Sequence, residues 1–235
     1  MPVPTRLYAI GDIHGRSDLL ERLIGEIARD LDRRPSENRL TVTLGDYIDR
    51  GPDSRGVLAR LAENPFPTDY VALKGNHEEL FEAFLDDPST AAHWCRNGGL
   101  ETLRSYGVDV VSLMRGRDYE AAAQALLAAV PREHFAFLGS LRLTLSIEHY
   151  FLCHAGVRPG VPLQQQSPDD LLWIREEFLN SKADFGKTVV HGHTPTPEPE
   201  LLPNRINVDT GAFMTGRLTC AVLEGSEVRF LSATC

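Results

Sequence analysis

Cysteine is scarce and unpatterned: the 235 residues hold four, Cys95, Cys153, Cys220 and Cys235, with no C-x-x-C pair and no even spacing. That argues against a disulfide framework and predicts a reduced, cytoplasmic protein. No apolar run approaches a membrane span, and Met1 to Thr5 leads straight into a short apolar strand without the apolar core of a signal peptide, so no membrane partner is expected. No long Lys/Arg run offsets the formal net charge of −9, which argues against nucleic acid as a partner. Internal repeats and low-complexity segments are missing as well. What remains, 42% hydrophobic and 24% charged residues, is ordinary for a globular chain, and a single domain over 1–235 is expected.

What is present is charge where apolar strands stop. The run Thr41-Val42-Thr43-Leu44 leads into Gly45-Asp46-Tyr47-Ile48-Asp49-Arg50-Gly51, two carboxylates and a guanidinium at the mouth of a buried strand. Such charge is costly unless a partner or a metal compensates it, so the stretch reads as a site. Leu7-Tyr8-Ala9-Ile10 likewise breaks at Gly11-Asp12-Ile13-His14-Gly15, and from Ser17, available as N-cap, Leu19, Leu20, Leu23, Ile24, Ile27 and Leu31 predict a helix. A linker from Arg33 to Arg39 follows, and a second helix is expected over Ser54 to Leu61. Tyr70 to Leu73 ends at Lys74-Gly75-Asn76-His77-Glu78, with a helix carrying Leu80, Phe81, Phe84 and Leu85 behind it.

From about 86 to 140 the alternation of strand and helix stops. The segment reads as an inserted helical cap, with Ala121 to Ala129 its clearest helix and a break at Gly98-Gly99. Leu141, Leu143, Leu145 and Ile147 then alternate with polar residues, turning at Glu148-His149 into Tyr150 to Cys153, which delivers His154. A helix is expected to carry Leu171 to Arg175, and Thr188 to Val190 runs into His191-Gly192-His193-Thr194. Arg205 to Asp209, Leu218 to Leu223 and Glu227 to Leu231 are expected as antiparallel strands.

Five apolar strands thus end in Asp, His or Asn, and ligands in open α/β sheets collect at such ends. Carboxylate, imidazole and amide oxygen without thiolate suit Mn²⁺, Fe²⁺, Mg²⁺ or Zn²⁺ in an open catalytic centre. Two such ions about 3.5–4 Å apart can share a carboxylate and a water of lowered pKa, and clamp a phosphoryl oxygen during in-line attack. That is the chemistry of phosphate-ester hydrolysis.

The motifs GDIHG, GDYIDRG, GNHE and HGHT, in that order, make the chain resemble the phosphoprotein phosphatase family of calcineurin-like metallophosphoesterases, and within it the small bacterial and phage-type serine/threonine protein phosphatases. The resemblance runs from Ile10 to about Gly216 and includes the LLWIRE stretch. It implies an α/β fold, a two-sheet sandwich with helices outside and the helical cap inserted. It also implies that Asp12, His14 and Asp46 hold a first metal, that Asp46 bridges, and that Asn76, His154 and His193 complete a second. Similarity further makes His77, oriented by Asp49, the general acid, and Arg50 and Arg175 the phosphate-binding groups. The implied cofactors are two divalent ions, Mn²⁺ expected with Fe²⁺, Zn²⁺ or Mg²⁺ as alternatives. The implied nucleophile is a metal-bridging hydroxide, and the partner a phosphorylated protein or a small phosphate ester.

Plainer readings stand beside several of these. Asp49 could pair only with Arg50, Asn76 could be a turn former, and Arg175 could be a surface residue. His191 is left out because the family pattern gives the ligand role to the second histidine of its motif. His93, His134 and His149 match no motif, and Asp209-Thr210-Gly211 reads as a structural turn. Cys153 lacks the Gly/Arg setting of a phosphate-binding thiolate. At the level of function the alternatives to a protein phosphatase are a symmetrical dinucleoside polyphosphate hydrolase with the same core motifs, and a non-catalytic binding module that keeps the fold.

Overall fold

The structure is a computed structural model, and it describes residues 5–235. Two five-stranded sheets form its centre. The first has the order β10-β9-β1-β2-β3, built from β1 (Arg6–Ile10), β2 (Arg39–Thr43), β3 (Asp69–Ala72), β9 (Arg217–Glu224) and β10 (Glu227–Thr234). The second has the order β4-β5-β6-β8-β7, from β4 (Thr144–Ile147), β5 (Tyr150–Cys153), β6 (Thr188–His191), β7 (Glu200–Leu201) and β8 (Arg205–Asn207). The motif-bearing strands lie side by side and parallel: Ile10 is level with Thr43, Thr43 with Ala72, Leu152 with Val190, and His191 with Asn207. Their polar ends therefore emerge on one edge of the molecule.

Period-two alternation explains the layering. In β1, Leu7 and Ala9 face an apolar layer between the sheets, with Val42, Leu44, Leu152, Val190, Ile206 and Val208. Tyr8 and Ile10 face the other way, against the helices α1 (Ser17–Arg33), α2 (Ser54–Ala62) and α3 (Asn76–Asp86). Residues 88–139 fold into α4 (Ala91–Trp94), α5 (Leu100–Ser105), α6 (Val111–Met114), α7 (Tyr119–Ala129) and α8 (Arg132–Gly139), after a 3₁₀ turn at Pro88–Thr90. A π turn at Cys95–Gly99, kinked at Gly98, joins α4 to α5. Their buried residues, among them Trp94, Leu103 and Leu126, join the same apolar cluster as α1 to α3. Outside the second sheet, α9 (Pro168–Trp173) and α10 (Glu176–Leu179) cover Phe151, Cys153 and Val189. No helix among the described residues is long and apolar enough to cross a membrane.

Three local expectations are corrected. Ser17 is the first helical residue rather than the N-cap: Arg16 precedes the helix without a side-chain cap, and the Ser17 hydroxyl donates to Asp53 Oδ2 at 2.5 Å. The helix expected to carry Arg175 stops at Trp173, because Ile174 (φ −58°, ψ 141°) and Arg175 (φ −130°, ψ −100°) leave helical geometry before α10 begins. β8 is parallel to β6 and antiparallel only to the two-residue β7, whereas β9 and β10 pair antiparallel as expected.

The sheets touch where the site forms, and one glycine permits it. A Cβ on Gly11 would stand 2.5 Å from the backbone carbonyl oxygen of Val208, just past the end of β8 in the other sheet. Backbone cannot yield as a side chain tip does, so any side chain here drives the strand ends apart. Gly11→Ala is expected to destabilise the fold by about 1–3 kcal/mol and to weaken metal retention. Thermal unfolding with and without Mn²⁺ measures both, and a variant with unchanged melting and metal content contradicts the account.

Candidate metal centre

Three of the strand ends, those of β1, β2 and β6, deliver polar residues through strained backbone. Among the described residues eight non-glycine residues have positive φ, and His14, Asp46, Asp49, Arg50 and His193 are five of them. Left-handed backbone costs about 1–3 kcal/mol at such residues and persists only when its surroundings over-determine it. Hydrogen bonds do so here. The N–H groups of Ile13 and His14 both donate to the Asp46 carbonyl, at 3.0 and 2.8 Å.

Asp46 is the centre of the array. Its Oδ2 lies 3.4 Å from His14 Nε2 and 3.8 Å from His77 Nε2, and its Oδ1 lies 3.4 Å from His154 Nε2. Asn76 Oδ1 stands 2.9 Å from both His154 Nε2 and His193 Nδ1. Two groups form in which one donor atom from each residue lies within 4.8 Å of the others: His14, Asp46 and His77, and Asp46, His154 and His193. Asp12 closes into neither. Both its oxygens accept from the backbone N–H of His193 at 3.1 Å, which ties β1 to the end of β6.

The ring tautomers show what the cluster lacks. His14 Nδ1 donates to the Ile48 carbonyl and His154 Nδ1 to the Leu44 carbonyl, both at 2.8 Å. In the neutral rings Nε2 is then a bare lone pair, aimed at a carboxylate or amide oxygen. Lone pair faces lone pair. Burial lowers both rings, His154 to about 3, and lowers His193 as well. Burial, with Asp209 and Asp46 adding to it, raises Asp12; burial and Glu78 raise Asp46. Neutral imidazoles among carboxylates that repel one another, with the Nε2 atoms of His77 and His193 unpartnered, are donors arranged for a cation. The residues fit a pair of divalent ions sharing Asp46.

His77 is held separately. Its Nδ1 donates to Asp49 Oδ2 at 2.7 Å, and Asp49 also accepts from Trp94 Nε1 at 2.8 Å and Thr102 Oγ1 at 2.6 Å. Burial pushes Asp49 up to about 7, against the hydrogen bonds of Thr102 and Trp94, and pushes His77 down to about 3, with Arg50 and Arg175 adding to the drop. The two share one buried hydrogen bond. Arg50 is half-buried beside the centre. Arg175 is exposed between α9 and α10, and its Nη1 donates to Thr194 Oγ1 at 3.4 Å.

Several residues in and around the centre were given no role by sequence reasoning. Trp94 and Thr102 support Asp49 from the inserted segment. Asp209, read as part of a turn, is buried beside Asp12 and pushed up to about 6 by burial. The signal for it was an acid following an apolar strand, as in the other motifs. Phe213 lies edge-on to His14, ring centroids 5.3 Å apart. His191 is buried away from the centre against Phe178, and Cys153 is a buried strand residue whose thiol burial pushes up. His134 is buried on Tyr106, 2.7 Å away, while His93 and His149 are exposed.

Glu78 was quoted within its motif without a function, and the structure places it under Asp46. Its Oε2 accepts from the N–H groups of Asp46 and Gly75, both at 2.9 Å, and its Oε1 from Tyr47 at 2.8 Å. Burial pushes this carboxyl up to about 7, against those bonds. Glu78→Gln turns an amide N–H₂ toward a backbone N–H, at about 1–3 kcal/mol for the unmet donors. The expected outcome is lower metal affinity with the overall fold kept, read by metal titration beside circular dichroism. Wild-type affinity in the variant contradicts this role.

Comparison with known proteins agrees with the geometry. The family profile described as calcineurin-like phosphoesterase matches residues 5–218. Serine/threonine-protein phosphatase 1 of Salmonella typhimurium is 31% identical over 93% of this chain and 92% of its own length. The asymmetrical bis(5'-nucleosyl)-tetraphosphatase PrpE of Bacillus cereus is 29% identical over 89% of this chain and 87% of its own. Among solved structures, one titled a putative diadenosine tetraphosphatase superposes with a TM-score of 0.67 at 22% identity, over 99% of this chain and 95% of that one, a likeness of fold.

Proposed function

The chain belongs to the calcineurin-like phosphoesterase family, and on that premise we propose that it is a phosphomonoesterase that removes phosphate from serine and threonine in proteins. The observation that carries the hydrolytic reading is the convergence on Asp46 of the Nε2 atoms of His14 and His154, whose Nδ1 atoms are committed to backbone carbonyls, beside an intact His77–Asp49 pair. Asp12, His14 and Asp46 would hold one divalent ion, and Asp46, Asn76, His154 and His193 the other, with Mn²⁺ the expected metal. When bound, such ions supply a water of lowered pKa and charge compensation for the phosphoryl oxygens.

The chain's own residues do the rest. Arg50 and Arg175 present guanidinium N–H groups to the phosphate oxygens from two sides. Asp49 accepts from Nδ1 of His77 and stabilises its imidazolium, the form in which Nε2, facing the centre, carries the proton to be delivered. The ester P–O bond breaks as the water oxygen bonds to phosphorus, and the departing alkoxide takes that proton. A binding module without catalysis would have no use for the triple support of Asp49 by His77, Trp94 and Thr102.

The choice of substrate rests on the surroundings. Beside Arg175 runs a groove of about 450 Å³ lined by Asp169, Asp170, Glu176 and Glu177, with Arg158 already paired to Asp170 and Glu177. Acidic walls oppose a long polyanion more than a single phosphate on a peptide. The second reading is dinucleoside tetraphosphate hydrolysis, favoured by the Bacillus relative, whose name specifies asymmetrical rather than symmetrical cleavage. A cytoplasmic setting belongs to the proposal and is supported by four unpaired cysteines.

A substrate panel with Mn²⁺ tests it. kcat/KM is expected to be higher for a phosphoserine peptide than for diadenosine tetraphosphate. His77→Asn is expected to lose about 10²–10⁴-fold on the peptide and clearly less on nitrophenyl phosphate, whose leaving group needs little protonation. The reverse order of substrates moves the protein to the second reading, and equal losses on both esters remove His77 from the role of acid.

A further inference from the structure

Arg50 is fixed at its base and loose at its head. Its backbone, at φ 67°, donates to the Gly98 carbonyl at 3.2 Å. Gly98 sits so close that a Cβ there would lie 2.6 Å from Arg50 N and 2.7 Å from its Cγ. The guanidinium has no hydrogen-bond or ion-pair partner among the described residues; it feels the charges of Asp12, Asp46, Asp49 and Asp209 and lies over the face of Phe213, 5.0 Å from Cζ to the ring centroid.

Phe213 sits on a pedestal. It lies in α11 (Ala212–Thr215), a single turn bounded by Gly211 and Gly216, both left-handed. The turn is tied down at both ends: Asp209 Oδ1 accepts from Gly211 N at 2.8 Å, Arg16 Nη1 donates to the Ala212 carbonyl at 2.9 Å, and Thr215 Oγ1 donates to the Thr210 carbonyl at 2.8 Å. The side chain is only half-buried, and its next neighbour Met214 is 61% exposed, so this turn does not serve to fill a core. The ring meets two site residues, His14 by the edge and Arg50 by the face.

We propose that Phe213 is a positioning residue for phosphate binding: its ring holds the unpaired Arg50 guanidinium at the mouth of the metal centre before the phosphate arrives. An arginine side chain must give up rotamer freedom to grip an anion with fixed geometry. An aromatic face that attracts the cation reduces that loss without competing for the N–H groups, as a carboxylate would. Arg175, with one long hydrogen bond to Thr194, lacks such a platform. The inference rests on the phosphoesterase reading given above.

The test uses the full chain loaded with Mn²⁺, with inorganic phosphate binding followed by calorimetry and KM and kcat measured on nitrophenyl phosphate. Phe213→Leu, which keeps apolar bulk and removes the π face, is expected to weaken phosphate binding about three- to tenfold and to raise KM more than it lowers kcat. Phe213→Trp is expected to restore both. In an Arg50→Ala background, Phe213→Leu is expected to add nothing. Wild-type phosphate affinity in Phe213→Leu overturns the inference, as does an undiminished effect in the Arg50→Ala background. Loss of bound Mn²⁺ in Phe213→Leu assigns the ring to His14 instead and overturns it too. A wild-type protein that binds no phosphate overturns the phosphoesterase reading and this inference with it, a result distinguishable from the others.

Discussion

Around Asp46 buried oxygen and nitrogen acceptors point at one another, and the remainder of the structure can be understood as what it takes to hold them there. Folding brings carboxylates and neutral imidazoles out of water, and their mutual repulsion at 3.4 Å opposes that assembly until a cation enters. The scaffold must therefore be stable enough elsewhere to carry an unfavourable cluster. It has three apolar layers, one between the sheets and one outside each, and both faces of β1 are buried.

Support for the ligands comes from distant parts of the chain. Glu78, on the first turn of α3, gathers the N–H groups that set the backbone of Asp46. Trp94 and Thr102, on α4 and α5, fix Asp49 and through it His77. Gly98, in the same inserted segment, crowds the backbone of Arg50, and the C-terminal turn α11 carries Phe213 beneath its head. The inserted segment thus takes part in the site by packing behind it. Loss of any one support is expected to show as altered affinity or pH response long before the fold fails, because the apolar layers do not depend on it.

Much of this was legible in the sequence, for identifiable reasons. The strands β1 to β3 were readable because their apolar runs are short and stop at glycine-containing polar motifs, and the parallel register that levels Ile10, Thr43 and Ala72 then brings their ends together. Asp12, His14, Asp46, Asn76, His77, His154 and His193 were singled out because each follows such a stop. Glu78, Trp94, Thr102 and Phe213 were assigned nothing because their effect runs through contacts 31 to 53 residues away in the chain, or through a ring face, which no local pattern encodes. Asp209, read as part of a turn, does cap that turn through Gly211 N; its place beside Asp12 was not legible because it depends on how the three-residue β8 joins the sheet parallel to β6. The break before Arg175 was invisible for a related reason: LLWIRE has helical composition throughout, and tertiary position ends the helix.

The account turns on two ions sharing one carboxylate. Its most direct test is a titration of chelator-stripped protein with Mn²⁺, with stoichiometry and electron paramagnetic resonance recorded together. Two ions per chain with the spectrum of an exchange-coupled pair is the predicted result, since only ions bridged through Asp46 lie near enough to couple. A single ion per chain, or two that give the spectrum of isolated Mn²⁺, contradicts it.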